Sequence, residues 1–493
     1  MGSLGLSEAR PIGKTALDAW RAELRATLAL GLPLIASQLA QIAINTTDTL
    51  MMGRLGAQAL AAGALGTTLQ FLFVIAGIGL TIAAGAMVAQ ERGARSSAVR
   101  GPRRTVRQGL WAVTILSVPS LIVLWNAESV LMALGQDPEL SRQAVTYIRA
   151  SMWALPFVLW FTTLRAFASA LERPWPVLVI TLVAIAANAA MNYVLMFGKL
   201  GFPALGIQGT GIATTVVNAA MLVALAIFIH RDRRMHRYRL AGRLWRTDWP
   251  RLWQLTKVGL PISLLLLAEV GAFAATTALA GMLGTVTLAA HTIALQIASV
   301  AFMVPLGLSQ ATTVRVGLAH GARRDIAVPG HVSLSLALGF ALLTAALFFA
   351  LPSQFVAAFI NRAEAPEVTA LAIGFLFLAA VFQLVDAAQI VLGAALRGLG
   401  DTALPLGAGV VGYWLIGLPL GAALAFGWLG EPWGGRGVWV GLATGLTVVA
   451  ILFTLRWAKA VLRPGSVGLP PPPRAETPTS APVQQRRVDL AEA

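Results

Sequence analysis

Three carboxylates stand alone in long apolar stretches. Asp48 has no acidic neighbour between Glu23 and Glu91, Glu269 none between Asp248 and Asp325, and Asp386 none between Glu367 and Asp401. A charge at mid-bilayer costs about 2.5–3.5 kcal/mol on insertion scales, so an acid retained there usually lines a polar pathway. Asn188 and Asn192 are four residues apart and share one helix face. A carboxylate combined with amide and hydroxyl oxygens suits a hard monovalent cation or a proton; hydrogen bonding between packed helices is the alternative use of such Asn residues. Burial disfavours the charged form of a carboxyl, which makes proton coupling as feasible as Na⁺ coupling. The expected chemistry is ion or proton coupling.

The elements that must position these groups follow from composition. The chain has 493 residues, 57% hydrophobic and 12% charged, where a soluble domain is nearer 25% charged. Apolar stretches of about 20 residues, the length that spans a bilayer as helix, recur along it between short polar loops. Transmembrane β-barrels read instead as alternating segments of about 10 residues. The expected fold class is therefore an all-α polytopic membrane protein with twelve transmembrane helices. The spans fall at about 28–52, 61–89, 109–134, 144–170, 176–197, 207–230, 255–280, 288–317, 328–350, 368–395, 403–427 and 436–457.

The net charge of +16 is concentrated in loops without interleaved aromatics or a soluble domain, so topology explains it and no nucleic-acid partner is expected. Six Arg between Arg92 and Arg107 and eight between Arg231 and Arg251 mark cytoplasmic loops, whereas the loops after spans one, three and five offer only Arg54, Arg142 and Lys199. Both termini are then cytoplasmic. Without cysteine, disulfides and thiolate metal sites are excluded. The start MGSLGL lacks the Ser or Thr of an acylation signal, and the segment to Arg25 has no cleavable apolar core. The Pro-rich end, with its run Pro470–Pro473, reads as a disordered tail.

The two halves repeat. Displaced by 228 residues, Gly31–Pro33 falls on Gly259–Pro261, Gly53 and Gly56 on Gly281 and Gly284, Leu60–Ala62 on Leu288–Ala290, and Gly93–Ala94 on Gly321–Ala322. Most identities are Gly, Pro or Ala, which set backbone packing. Six spans per half give both halves one orientation, so two six-helix lobes related by a pseudo-two-fold axis along the membrane normal are expected, with substrate between them. The division is a cytoplasmic segment 1–27, an amino lobe 28–230, a basic inter-lobe loop 231–254, a carboxy lobe 255–457 and the tail 458–493.

Four segments together resemble the multidrug and toxic compound extrusion (MATE) transporters, in their NorM-like branch: GLPLIASQLAQIAINTTDTLMMGRLG at Gly31–Gly56, NAAMNYVLMFG at Asn188–Gly198, AEVGAFAATTALAGMLG at Ala268–Gly284 and FQLVDAAQIVLGAALRGLGDT at Phe382–Thr402. The resemblance implies an exporter of cationic or amphipathic compounds driven by inward Na⁺ or H⁺, and no enzyme. It implies an amino-lobe cation site of Asp48, Asn188, Asn192 and Thr210, and a carboxy-lobe site of Glu269 and Asp386. One departure concerns the second site: some Na⁺-linked relatives carry a tyrosine where this chain has Phe382, which removes an oxygen ligand. The coupling ion, H⁺ or Na⁺, is the only cofactor expected. The expected partners are the small-molecule substrate and membrane lipid, around a monomer in the cytoplasmic membrane of a bacterium.

Other residues invite rival readings. Pro33 and Pro261 occupy equivalent places where a missing amide hydrogen bond permits a kink; packing is the simpler account, and a hinge that moves Asp48 is the functional one. Arg165 and Arg397 are expected to be snorkelling anchors, and His291 a polar packing residue rather than a proton relay. Gly398-Leu399-Gly400-Asp401 matches the GxGD signature of intramembrane aspartyl proteases. The partner acid, Asp386, lies on the same helix about 22 Å away, too far to share a water. A flippase of lipid-linked saccharides, a related fold, needs basic residues for pyrophosphate, whereas the ionisable groups in these spans are mainly acidic.

Overall fold

The structure, a computed structural model, describes residues 12–242 and 244–470. Every regular element among them is helical. Eleven helices are long and apolar enough to cross a bilayer, and the pair Pro138–Ser151 and Ala154–Ala170, bent by 48°, makes a twelfth span. In chain order the spans are Ile12–Gly53, Ala57–Ala94, Arg100–Trp125, the bent pair, Trp175–Phe197, Gly206–Arg231, Trp249–Met282, Thr285–Gly321, Ala327–Ala350, Pro366–Gly398, Ala403–Ala425 and Gly435–Leu462. The polar residues between them start the helices. Asp137 accepts from the amides of Glu139 and Leu140 at 3.0 and 3.0 Å, and Asp232 and Asp248 cap their helices likewise, satisfying amides that have no intrahelical partner.

Three expectations are corrected at the ends of spans. The third span stops at Trp125, because the chain breaks at Asn126 and starts a separate short helix, Ala127–Ala133. The first helix begins at Ile12, so the amino-terminal segment is largely a continuation of span one. The stretch 458–470, expected as the start of a disordered tail, is ordered: the last helix runs to Leu462, and the residues beyond turn back onto the tenth span. There the Leu469 amide donates to the Leu399 carbonyl at 2.9 Å, and the Leu469 carbonyl lies 2.8 Å from His320 Nε2. The start MGSLGL, Arg243 of the inter-lobe loop and the rest of the tail, including Pro471–Pro473, lie outside the described residues.

The repeat extends through the whole fold. Under the same displacement Ala57 falls on Thr285, Pro138 on Pro366, Ala170 on Gly398, Trp175 on Ala403 and Phe197 on Ala425, each a helix end meeting a helix end. Gly56 (φ 116°, ψ 166°) and Gly284 (φ 112°, ψ 163°) make equivalent turns in a backbone region that only glycine enters readily. Contacts between the lobes are reciprocal. Gly31 faces Leu308 as Gly259 faces Leu80, Gly79 faces Ser263 as Gly307 faces Ile35, and Gly93 faces Leu318 as Gly321 faces Gln90. Each contact maps onto its counterpart under the 228-residue displacement, as a two-fold axis between the lobes requires. At Gly93 and Gly321 the facing group is a backbone carbonyl, so close that a Cβ does not fit.

These contacts lie in the halves of spans one, two, seven and eight nearest the arginine-rich loops. Ion pairs reinforce them at that end. Arg251 pairs with Glu91, and Arg315 of span eight is held by Glu23, at 2.7 and 2.6 Å, and by Glu172, both from the amino lobe. Gln90 donates to the Gly398 carbonyl at 2.8 Å. The lobes are thus fastened together at their basic end.

Candidate cation sites in the two lobes

Asp48 lies on the amino-lobe side of span one, 9% exposed. Span five brings Asn188 and Asn192, both buried, against it, because four residues make one helical turn and set the two amides above one another. Asn192 Nδ2 donates to Asp48 Oδ1 at 2.5 Å and stands 3.3 Å from Asn188 Oδ1. The structure therefore gathers Asp48, Asn188 and Asn192. Thr210 is fully buried on span six, but no hydrogen bond joins its hydroxyl to the carboxylate; its carbonyl accepts from Thr214 Oγ1 at 2.9 Å instead. Thr214, one turn further along, is the hydroxyl that approaches Asp48 Oδ2, at 3.5 Å. Three buried polar atoms on these spans, Asn188 Nδ2, Asn192 Oδ1 and Thr210 Oγ1, have no hydrogen-bond partner. Buried polar atoms are seldom left so, which marks the surroundings of Asp48 as a candidate cation site. No group of three His, Cys, Asp or Glu side chains that could hold a metal ion is present among the described residues.

The carboxy lobe is built differently. Asp386 on span ten is 4% exposed and Glu269 on span seven is half-buried. They lie within electrostatic range of each other without a hydrogen bond between them, and Asp386 Oδ1 has no partner. Phe382, at the position of the missing tyrosine, is 2% exposed and packs edge-on against Phe273 and Trp439. A phenol arrives from elsewhere. Tyr413, on the π-helical stretch Val410–Gly417 of span eleven, accepts from Gln389 Nε2 at 2.6 Å and is within electrostatic range of both acids. A π-turn re-aims side chains relative to an α-helix.

Several other residues resolve. His291 is buried against Trp439 with Nε2 3.3 Å from Thr277 Oγ1, the environment of a packing residue. The snorkelling expected of the two arginines is corrected. Arg165 donates to Gln38 of span one at 3.2 Å, and Arg397 is 6% exposed, drawn into the lobe beside Gly393. Asp401 sits in the turn after span ten and pairs with Arg456 at 2.7 Å. Spans one and seven run as continuous helices through Pro33 and Pro261. Thr214, Tyr413, Gln389 and Arg397 escaped the sequence reading as site residues; the one available signal was their polarity inside apolar spans.

Comparison with known proteins agrees with this architecture. The MatE family model matches residues 33–194 and again 261–423, the second match beginning at the residue that the displacement assigns to the first. The chain is 48% identical over 445 residues to the probable multidrug resistance protein NorM of Mesorhizobium japonicum, covering 89% of this chain and 94% of that protein. It is 44% identical over 451 residues to the protein of the same name from Rhizobium meliloti, covering 90% and 95%. Among solved structures, the outward-facing conformation of a multidrug resistance MATE family transporter of the MOP superfamily aligns with a TM-score of 0.80 over 89% of this chain and 96% of that one. At 20% identity that likeness concerns the fold.

Proposed function

The chain belongs to the MatE family of transporters, and from that premise we propose that it is a secondary active multidrug exporter. It exchanges cationic or amphipathic organic compounds against inward H⁺ or Na⁺ by alternating access. The observation that carries this reading is the amino-lobe pocket: a buried carboxylate with one oxygen held by Asn192, the other approached by Thr214, and the amide oxygen of Asn192 unpartnered. The mechanism is competition. A free Asp48 carboxylate attracts a cationic drug, and an Asp48 that is protonated or bound to Na⁺ with Asn192 and Thr214 beside it releases it. Linkage makes the effect reciprocal, each ligand weakening the other.

The basic end faces the cytoplasm by the charge bias of its loops, which also puts both ends of the chain there. Gln41, Asn45 and Thr49 on span one and Thr292 and Gln296 on span eight are polar and exposed in the other halves of the spans, and with the lobes fastened at the basic end we read them as walls of a cleft that opens outward. Polar groups at this depth favour a wet cleft over lipid. A bend at Pro33 would carry Asp48 towards or away from that cleft. The working unit is a monomer, since each chain carries both lobes.

The test is export of a fluorescent organic cation from proteoliposomes under ΔpH or ΔNa⁺ imposed separately. Export under one of the two, lost in Asp48→Asn, is expected. Wild-type vesicles that move no cation under either gradient would remove the reading.

A further inference from the structure

Residues 463–470 leave the last helix at Leu462 and return to the seam between the lobes. Their backbone is held by the carboxy lobe: the Leu469 amide donates to the Leu399 carbonyl at 2.9 Å, and the Leu469 carbonyl accepts from His320 Nε2 at 2.8 Å. Val467, 3% exposed, joins the carboxy-lobe core. Gly468 (φ 82°) lies so close to the Leu399 carbonyl that a Cβ does not fit. Together these contacts aim one side chain. Leu469 packs on a small apolar core that Ala83 of span two shares with Val258 and Ile262 of span seven, a core built from both lobes. Among the described residues the opposite side of the seam has no such wedge. The displacement puts Ala241 at the position of Leu469, and Ala241 is exposed. The segment around it is drawn onto the amino lobe instead, the Leu240 carbonyl accepting from Arg107 Nε at 3.0 Å and the Leu244 carbonyl from Trp111 Nε1 at 2.7 Å. The internal repeat therefore does not account for the wedge.

We propose that residues 463–470 are a latch on the seam at the basic end, favouring the outward-open arrangement of the lobes. The backbone of the latch travels with the carboxy lobe, while the apolar surface of span two is left behind when the lobes part. Leu469 meets the shared core only in the closed seam, and a contact made in one state alone shifts the balance towards that state. The glycine contacts and ion pairs that fasten the lobes come almost wholly from the spans themselves. The latch is an addition at the end of the chain, and it can be lifted or shortened without altering them. The inference rests on the reading of the chain as an alternating-access exporter.

The chain has no cysteine, so a single introduced one reports access to the seam. Val258→Cys stands beside the latch. Leu30, its equivalent under the displacement, is 2% exposed in a core that spans one and eight share across the other side of the seam. In purified protein, the rate at which a charged maleimide reacts with each cysteine is measured. Leu469→Asp, and separately a chain ended after Arg463, should speed both reactions about five- to tenfold, the shift for a half-buried leucine whose contacts exist in one state only. Leu469→Met keeps both near the background rate. Unchanged rates overturn the latch. A faster Val258→Cys beside an unchanged Leu30→Cys also overturns it, since the segment then covers one side of the seam without holding the lobes. Melting curves establish that each variant is folded, and Leu469→Ala, the milder change, serves where another is not. Export by the wild type is read separately. A wild type that exports nothing removes the transport reading, whereas the two labelling rates still judge the latch.

Discussion

The amino and carboxy lobes share a backbone to within the ends of their helices, yet they place their charges at different points of it. Asp48 corresponds to Thr276, Thr214 to Leu442, Asn188 to Ile416 and Asn192 to Leu420. The carboxy-lobe counterpart of the amino-lobe cation pocket is thus a small cavity lined by Ala272, Thr276, Tyr413, Gly417, Leu418, Leu442 and Gly445, with no carboxylate. Conversely Glu269, Asp386 and Arg397 correspond to Gln41, Val158 and Ser169. At Gly79, Gly93, Gly259, Gly307 and Gly321 the facing lobe leaves no room for a Cβ, so these contacts constrain both lobes alike. The polar positions inside the lobes do not match under the displacement, and there the chemistry differs. One lobe holds a single acid among neutral oxygens, and the other two acids with a buried cation.

The largest effect should come from trying to undo that difference. Asp48→Asn is expected to reduce drug export at least tenfold, and adding Thr276→Asp to place the acid at the equivalent site should not recover it, because Leu420 and Leu442 offer no oxygen where Asn192 and Thr214 do. Recovery of export in proteoliposomes would make the two pockets interchangeable and break the comparison. Next in size, Gly93→Ala and Gly321→Ala each place a methyl against a facing carbonyl, and overpacking costs about 1–3 kcal/mol. Equal losses of melting temperature are expected from the two, since the contacts are related by the axis; a loss confined to one would show that the axis is not the seat of the packing.

Asn192→Ala removes a hydrogen bond to a charged group, worth about 1.5–3 kcal/mol. Coupling-ion affinity, measured by protection against thermal denaturation, should fall about tenfold or more, while Leu420→Ala at the equivalent carboxy-lobe position leaves it unchanged. The smallest contrast lies within one site. Thr214→Val should weaken ion protection more than Thr210→Val if the hydroxyl near Asp48 carries the interaction, and the reverse order would point to Thr210 Oγ1 as the ligand.

Much of this was legible in the sequence. The spans followed from unbroken apolar length, the lobes from the recurring Gly and Pro positions, and the acids from their isolation in apolar surroundings. Asn188 and Asn192 were readable because four-residue spacing aligns them whatever surrounds the helix. Thr214 was not, because its neighbour Thr210 lies one turn away on the same face and only the rotation and height of span six decide which hydroxyl meets Asp48. Arg397 differs from expectation for a related reason: a position near the end of a span suits a snorkelling side chain, and its burial inside the lobe is a tertiary fact.

What the sequence determined by itself is the class of fold, the number of spans, the internal symmetry and the residues too costly to bury without purpose. What the tertiary structure decided is which of those residues meet, that Tyr413 stands in the carboxy-lobe cluster while Phe382 joins an aromatic core, and that the two lobes fasten at one end. The physical reason is the solvent. In water, an amphipathic stripe reveals which face of a helix is buried. In lipid, outward and inward faces are both apolar, so the sequence marks where a helix lies while leaving its rotation to the contacts between helices.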